Sequence, residues 1–356
     1  MKAFMVLIKF LLGIALLIAL ILGGIILYAL MTDYKPQEKE TVEAIGNGNQ
    51  TITKNDLSFL IWNIGFCGLG ENADFFYDGG KMVRSPQNDV ESYYQQAKTF
   101  LNTHKNTDFV LLQEVDKGSK RSYYLNELEG LNKEVFSNMN ASFGKNYDVN
   151  FVPLPFTNPL GCVESGLGTY TPYKSTEITR YQFPGNFAFP KALFFLDRCF
   201  LLQRFPAPNG KEVIVINTHN SAYDNGNLKE KQMEYLRNIL LEEYKKGNYV
   251  IVGGDWNQTP PGFNNNTFLK KGGQEASEQI AVAFDYMPEG WIWAYDASVP
   301  TNRKLSEPYS YVRTFTTVID FYLLSPNIKL KKVEGIDLKF KASDHQPVYM
   351  EIELMN

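Results

Sequence analysis

Apolar positions along the chain fall into three regimes. From 3 to 31 they are nearly continuous, with Lys9 the only charge and Phe10 to Met31 uninterrupted. A run of that length crosses a bilayer as a helix. From 32 to 54 (TDYKPQEKETVEAIGNGNQTITK) large apolar groups are sparse, which predicts a polar tether. From Leu57 onward, short buried runs alternate with amphipathic stretches. Strands are predicted at Leu57 to Phe66, Phe109 to Asp116, Val213 to Asp224, Val250 to Gln258, Val318 to Pro326 and Ala342 to Leu354. Helices are predicted at Asp89 to Asn102, Ser122 to Phe136 and Leu228 to Lys246, where apolar residues recur at helical spacing. Between Tyr147 and Gln203 short strands mix with Pro and Gly. Consecutive strand pairs without a crossover helix argue for packed sheets flanked by helices, not for one parallel sheet.

The first run has a competing reading as a secretory signal peptide. Such peptides have a shorter apolar region and a small-x-small cleavage site, whereas Tyr28-Ala29-Leu30-Met31 is a poor one. An uncleaved anchor is therefore expected over 1–31, a linker over 32–54 and a catalytic domain over 55–356. Lys2 and Lys9 precede the span, while Asp33, Lys35, Glu38, Lys39 and Glu40 nearly cancel after it. That asymmetry puts the N-terminus in the cytoplasm and the domain outside. The net charge of −4 supplies no global field for nucleic acid, though a local patch or a bound metal would suffice. Cys67, Cys162 and Cys199 are too few for a disulfide framework, and no Cys/His cluster suggests a zinc site.

Candidate chemistry sits where polar residues abut apolar runs. In VIVGGDWNQ, Asp255 and Asn257 are two apart, so an extended chain projects them to one side. A carboxylate beside an amide oxygen makes a hard site for Mg²⁺, or Mn²⁺, and phosphate. Asn63, Glu114, His219, Asp320, Asp344 and His345 end or flank the other runs, and they include two of the three histidines. Each alone is an ordinary cap or turn residue; together they are complementary.

Six segments in order, WNIG, LQEVD, NTH, GDWN, IDFYLLS and SDHQP, resemble the endonuclease/exonuclease/phosphatase (deoxyribonuclease I-like) superfamily from residue 55 to 356. The resemblance implies a four-layer α/β/β/α sandwich of two packed mixed β-sheets. It also implies metal-dependent hydrolysis of phosphoesters, with Asn63, Glu114 and Asp344 as metal ligands. Asp255 would orient or deprotonate the attacking water, Asn257 would hold a phosphate oxygen, and His345, oriented by Asp320, would bind the phosphate. His219 would be the general acid toward the leaving group, with Glu164 as its acidic partner. Phospholipid, small phosphodiester and nucleic acid all remain open as substrates. A deoxyribonuclease-like nuclease and a catalytically silent binding module on the same fold are the alternatives. No obligate protein partner is expected, and the membrane is met through the N-terminal helix.

Overall fold

A computed structural model describes residues 2–223, 227–268 and 280–355. The apolar run is one helix, α1 (Lys2–Thr32), long and apolar enough to cross a membrane by length and composition. The strands that follow are β1 (Lys39–Thr41), β2 (Ile45–Gly46), β3 (Asp56–Asn63), β4 (Phe109–Asp116), β5 (Asn140–Val152) and β6 (Gly161–Thr171). Next come β7 (Glu177–Gln182), β8 (Cys199–Pro206), β9 (Glu212–His219), β10 (Tyr249–Asp255) and β11 (Ile292–Ala294). The last are β12 (Asn302–Arg303), β13 (Thr316–Thr317), β14 (Asp320–Leu324), β15 (Ile328–Gly335) and β16 (Val348–Leu354). Three further helices are α2 (Gln87–Thr103), α3 (Glu127–Glu134) and α4 (Leu228–Lys245).

Two seven-stranded sheets form, in the orders β1-β7-β8-β9-β10-β14-β11 and β15-β16-β3-β4-β6-β5-β2. Strand alternation explains why their sequences read as unbroken apolar runs. Along β3, Phe59 and Ile61 enter the space between the sheets, where they meet Phe109, Leu111, Val215, Ile251 and Tyr322. Leu60 and Trp62 point the other way, under Tyr93, Ala97 and Leu101 of α2. On the far side Val250, Val252 and Phe321 pack beneath Met233, Leu236 and Leu240 of α4. The result is the expected four-layer α/β/β/α sandwich of mixed sheets.

β3 and β4 run parallel, as do β9 and β10, and β14 and β16 start antiparallel beside them. The polar residues following four strands and preceding two others therefore meet at one edge of the sandwich. The two glycines of VIVGGD lie within β10 and do not turn it. A Cβ on Gly253 would stand 2.7 Å from the Tyr322 ring, and one on Gly254 2.1 Å from Thr218 O. Their absence of a side chain lets β9, β10 and the facing sheet approach.

Several expectations are corrected. The polar stretch 32–54 is not a free tether: β1 pairs with β7 and β2 pairs with β5, adding an edge strand to each sheet. The helix expected over Ser122 to Phe136 forms only at Glu127–Glu134, because Tyr123 and Tyr124 adopt φ of 53° and 64°. Asn126 caps it, accepting from Glu129 N at 3.2 Å. Asp344 and His345 sit in the loop before β16, not within the strand. β15 was missed. The predicted strand from Val213 stops at His219, and its Asp224 lies outside the described residues. Apart from these corrections, Trp291 and Trp293, whose burial the sequence leaves open, pack in the core edge-on to Tyr244 and Trp256.

Candidate active site

All eight candidate residues reach the same sandwich edge. Asn63, at the end of β3, donates Nδ2 to Asp255 Oδ2 at 3.0 Å and to Glu114 Oε1 at 3.3 Å. Its Oδ1 accepts from Gly65 N at 3.0 Å, so Asn63 braces two carboxylates. Glu114 adopts φ 53° within an irregular stretch of the β4–β6 pairing between Leu112 and Val115. That conformation costs a bulky residue about 1–3 kcal/mol and marks a site where geometry is imposed. Gly65, at φ +53°, is required for close approach: a Cβ there would stand 2.8 Å from Asp344 Oδ1.

Asp255 pairs in register with His219 on one side and Asp320 on the other. Its Oδ2 is 3.3 Å from His219 Nε2 and 3.7 Å from His345 Nε2. Asn257, at φ 51°, turns back so that its N–H donates to Asp255 Oδ1 at 2.9 Å. The Asn257 Nδ2 donates to Asn220 O at 2.9 Å. His345 Nδ1 lies 2.9 Å from Asp320 Oδ2, and Asp344 Oδ2 is 3.8 Å from Nε2.

The two imidazoles are driven to opposite charge states. Burial lowers the pKa of His345, but Asp320, Asp344 and Asp255 outweigh it and hold the ring well above its ordinary value. Burial lifts Asp320 to about 6 against the pull of His345, which leaves the pair charged at neutral pH. For His219 burial, with Arg198, His345 and Arg121 next, pushes the pKa well below its ordinary value. Its Nδ1 is buried with no partner among the described residues.

The donor set suits a hard divalent cation. Glu114 and Asp344 line one cavity of about 650 Å³ with Asp255, His219 and His345. Burial, and Glu114 in addition, lift the Asp344 carboxyl to about 7 although His345 and Arg303 oppose the rise. Crowded buried carboxylates of this kind gain from a cation between them. Asp255, Asp320 and His345 also offer atoms within 4.8 Å of one another. The Asp320–His345 bond already commits two of those three, so Glu114 and Asp344 make the better primary ligands.

Sequence reasoning missed two lining residues and misplaced one. Arg198, just before β8, has a buried Nη1 with no hydrogen-bond partner among the described residues. Burial lowers its pKa, with Glu114 and Asp255 pulling it back up, so the guanidinium faces the carboxylates across the cavity. Its signal was the one used elsewhere, a polar pair (Asp197-Arg198) abutting an apolar run. Asn302 was missed because only a long-range bridge to His345 brings it in; its amide lies 3.0 Å from His345 Nε2. Glu164 does not partner His219. Its carboxylate stands 4.0 Å from Lys117, and its neighbour Ser165 faces the cavity instead. Arg84 is likewise outside the site, donating to Pro159 O at 2.6 Å.

The segment after the first motif, 67–89, forms a cavity wall. Arg303, which is 1% exposed, holds it: Nη2 donates to Leu69 O, Gly70 O and Ala73 O at 3.2, 2.8 and 3.1 Å.

Carboxylates, amides and imidazoles converge at the paired ends of a two-sheet sandwich, an arrangement suited to phosphoester hydrolysis. The sequence model of the Endonuclease/Exonuclease/phosphatase family matches residues 60–345, and the chain belongs to that family. Among solved structures it is similar to the endonuclease/exonuclease/phosphatase from Beutenbergia cavernae DSM 12333, with TM-score 0.53, 15% identity and 85% of this chain covering 72% of that one. A homologous fold from Bacteroides vulgatus gives TM-score 0.52 and 16% identity over 85% of this chain and 100% of that one. ANGEL2, described as a 2′,3′-cyclic phosphatase, gives TM-score 0.53 and 16% identity over 89% and 99%. No match was found among curated proteins.

Proposed function

We propose that the chain is a membrane-anchored, Mg²⁺-dependent phosphoester hydrolase whose domain, 55–356, works outside the cytoplasmic membrane. The observation that carries this reading is the junction of Glu114, Asp255, His219 and His345, the last backed by Asp320, in one cavity with Arg198, whose Nη1 has no partner among the described residues. Glu114 and Asp344 would hold the cation, with Asn63 bracing Glu114. When bound, it neutralises phosphoryl charge and sharpens an attacking water. Asp255, fixed by Asn63 and Asn257, accepts the proton of that water. His345, kept cationic by Asp320, and Arg198 bind phosphoryl oxygens. Asn257 keeps one amide hydrogen for the same purpose, the other being held by Asn220 O. His219, held neutral chiefly by burial, offers a hydrogen bond from Nε2–H to the leaving oxygen. The N-terminal helix, with Lys2 and Lys9 in its first turns ahead of the uninterrupted apolar stretch, supports a domain on the outer side.

The test is turnover of bis(p-nitrophenyl) phosphate by the full chain in detergent with Mg²⁺. Hydrolysis that disappears in Asp255→Ala and His345→Ala, with the fold intact, is expected. Near-normal rates in either variant would refute the assignment.

A further inference from the structure

We propose that the mouth of the catalytic cavity is held against the same bilayer that α1 enters, and that the substrate is a phospholipid presented by that bilayer. The proposal rests on the hydrolase reading above and adds the substrate class to it.

Its starting point is where α1 meets the domain. The last turns of the helix pack on β5 and on a short 3-10 turn at Lys191–Phe194, with Ala29 buried in the contact region. That turn belongs to the β7–β8 connection, and the same connection walls the catalytic cavity through Gly185, Phe187, Phe195 and Arg198. One segment of about fifteen residues therefore touches the membrane helix and the reacting centre together; at most ~3.5 Å per residue separates the two along the chain.

The surface of this region has an interfacial character. Phe189, directly before the turn, is 65% exposed, and Phe156, in the loop that follows β5, is 67% exposed. Single exposed rings are ordinary on a protein surface; what singles out Phe189 is that it adjoins the turn touched by α1. A bilayer surface reached by that apolar helix supplies an apolar partner, and aromatic rings favour that depth. Lys191 rests its ammonium over the Phe187 and Phe195 rings at 3.8 and 4.4 Å, a cation among aromatics that suits a headgroup layer. Beside the helix end, Tyr34 stacks under Lys145 at 4.3 Å in a cleft also lined by Lys39, Lys117 and Arg180. Lys145 pairs with Asp148, Arg180 with Glu40 and Lys117 with Glu164, so Lys39 leaves the cleft with a small positive excess toward anionic lipid.

The cavity is itself amphipathic. Phe66, Leu69, Phe75, Phe187 and Leu196 line one part, and Glu114, Arg198 and the histidines line another. A phosphodiester headgroup with its glycerol end still in the membrane matches that division, whereas a nucleic acid would find acids and apolar rings along its backbone path.

The experiment reconstitutes the full chain in phosphatidylcholine–phosphatidylglycerol vesicles with Mg²⁺ and follows headgroup release from those lipids. Bis(p-nitrophenyl) phosphate and plasmid DNA are measured in parallel. The expected result is phospholipid hydrolysis that falls about tenfold in the double variant Phe156→Ser/Phe189→Ser, the change made by roughly 1.4 kcal/mol of lost interfacial burial. The rate on the soluble diester stays unchanged in that variant, which also shows that it folds. Turnover of the soluble diester or of DNA without phospholipid hydrolysis overturns the inference and leaves the hydrolase reading standing. An equal loss on both substrates overturns it too. Turnover of none of them removes both.

Discussion

Replacing Arg303 with leucine isolates what closes the cavity. The guanidinium is buried, and its Nη2 donates, shared, to the carbonyls of Leu69, Gly70 and Ala73, of which Gly70 O also accepts from Ala73 N–H at 2.9 Å. Its Nη1 adds weaker bonds to Lys304 O at 3.4 Å and Glu307 O at 3.3 Å. Leucine fills the volume and donates nothing. A buried carbonyl left unpaired costs about 1–3 kcal/mol, so Leu69 O and Ala73 O together give roughly 2–5 kcal/mol after partial relaxation. Total stability is only about 5–15 kcal/mol, and with an unfolding entropy of roughly 0.6 kcal/mol/K for a domain of this size the melting temperature is expected to fall by about 3–8 °C. The damage should be local first, because the released segment is the wall that bears Phe66, Phe75 and Asp78. Limited trypsin digestion should then cut near Lys81 or Arg84, and hydrolysis of the soluble diester should drop by more than about tenfold for loss of positioning. Arg303→Lys keeps the charge without the planar fork and should recover only part. A melting point within about 2 °C of wild type together with an unchanged digestion pattern would show that the wall is held by something else.

Glu114→Ala should lose the stabilisation by Mg²⁺ and the turnover together, read by thermal unfolding with and without chelator; a variant that still gains stability from Mg²⁺ would move the metal elsewhere. Asp197 gives a pH test outside the metal ligands. Burial lifts its carboxyl from 3.8 to about 7, against Arg180. The folded state therefore keeps a proton that the unfolded chain has lost, and stability falls as pH rises from about 4 to 7. Asp197→Asn removes that slope, with an expected gain of about 1–2 kcal/mol at pH 8 after allowing for partial exposure, and almost none at pH 4. A gain that does not grow with pH would contradict the burial argument. Finally, carbonate extraction should leave the chain with the membrane, and release into the soluble fraction would show that the helix is cleaved or never inserted.

What the sequence disclosed follows from where the chemistry lies. Asn63, His219 and Asp255 end strands buried on both faces; Asn63 and Asp255 stand out as the first polar groups after apolar runs, and His219 closes the short polar stretch that follows another. Asp320 and His345 precede such runs and are equally visible. Glu164 shows the limit. It lies one residue from Ser165, and the two-residue repeat of a strand sends neighbours to opposite faces. Ser165 reaches the cavity while Glu164 reaches Lys117. Which face is which depends on how β6 pairs, and pairing with β4 and β5 is not written in local periodicity. Asn302 is hidden for the same reason, since only its bridge to His345 gives it a role. The segment 32–54 was read as a tether on composition, yet a few residues with β propensity suffice to extend an exposed sheet edge.

The proposed division of labour between the histidines rests on their neighbours more than on their positions. Both rings are buried, and both approach Asp255 Oδ2, at 3.3 Å for His219 and 3.7 Å for His345. His345 touches the further carboxylates of Asp320 and Asp344, whereas His219 has the guanidinium groups of Arg198 and Arg121 acting on it. Surrounded by anions, one imidazole keeps its charge and can hold an anionic oxygen. Beside cations, the other stays neutral, with one N–H to offer and no charge to repel the metal. Titratable groups pushed apart in this way assign acid, base and binder within one cavity. In the proposed mechanism Arg198 therefore has two parts, as a ligand for phosphate oxygens and as a cation that adds to burial in keeping His219 neutral. Substituting it should therefore raise the pKa of His219 as well as weaken substrate binding, an effect that a purely structural arginine would not produce.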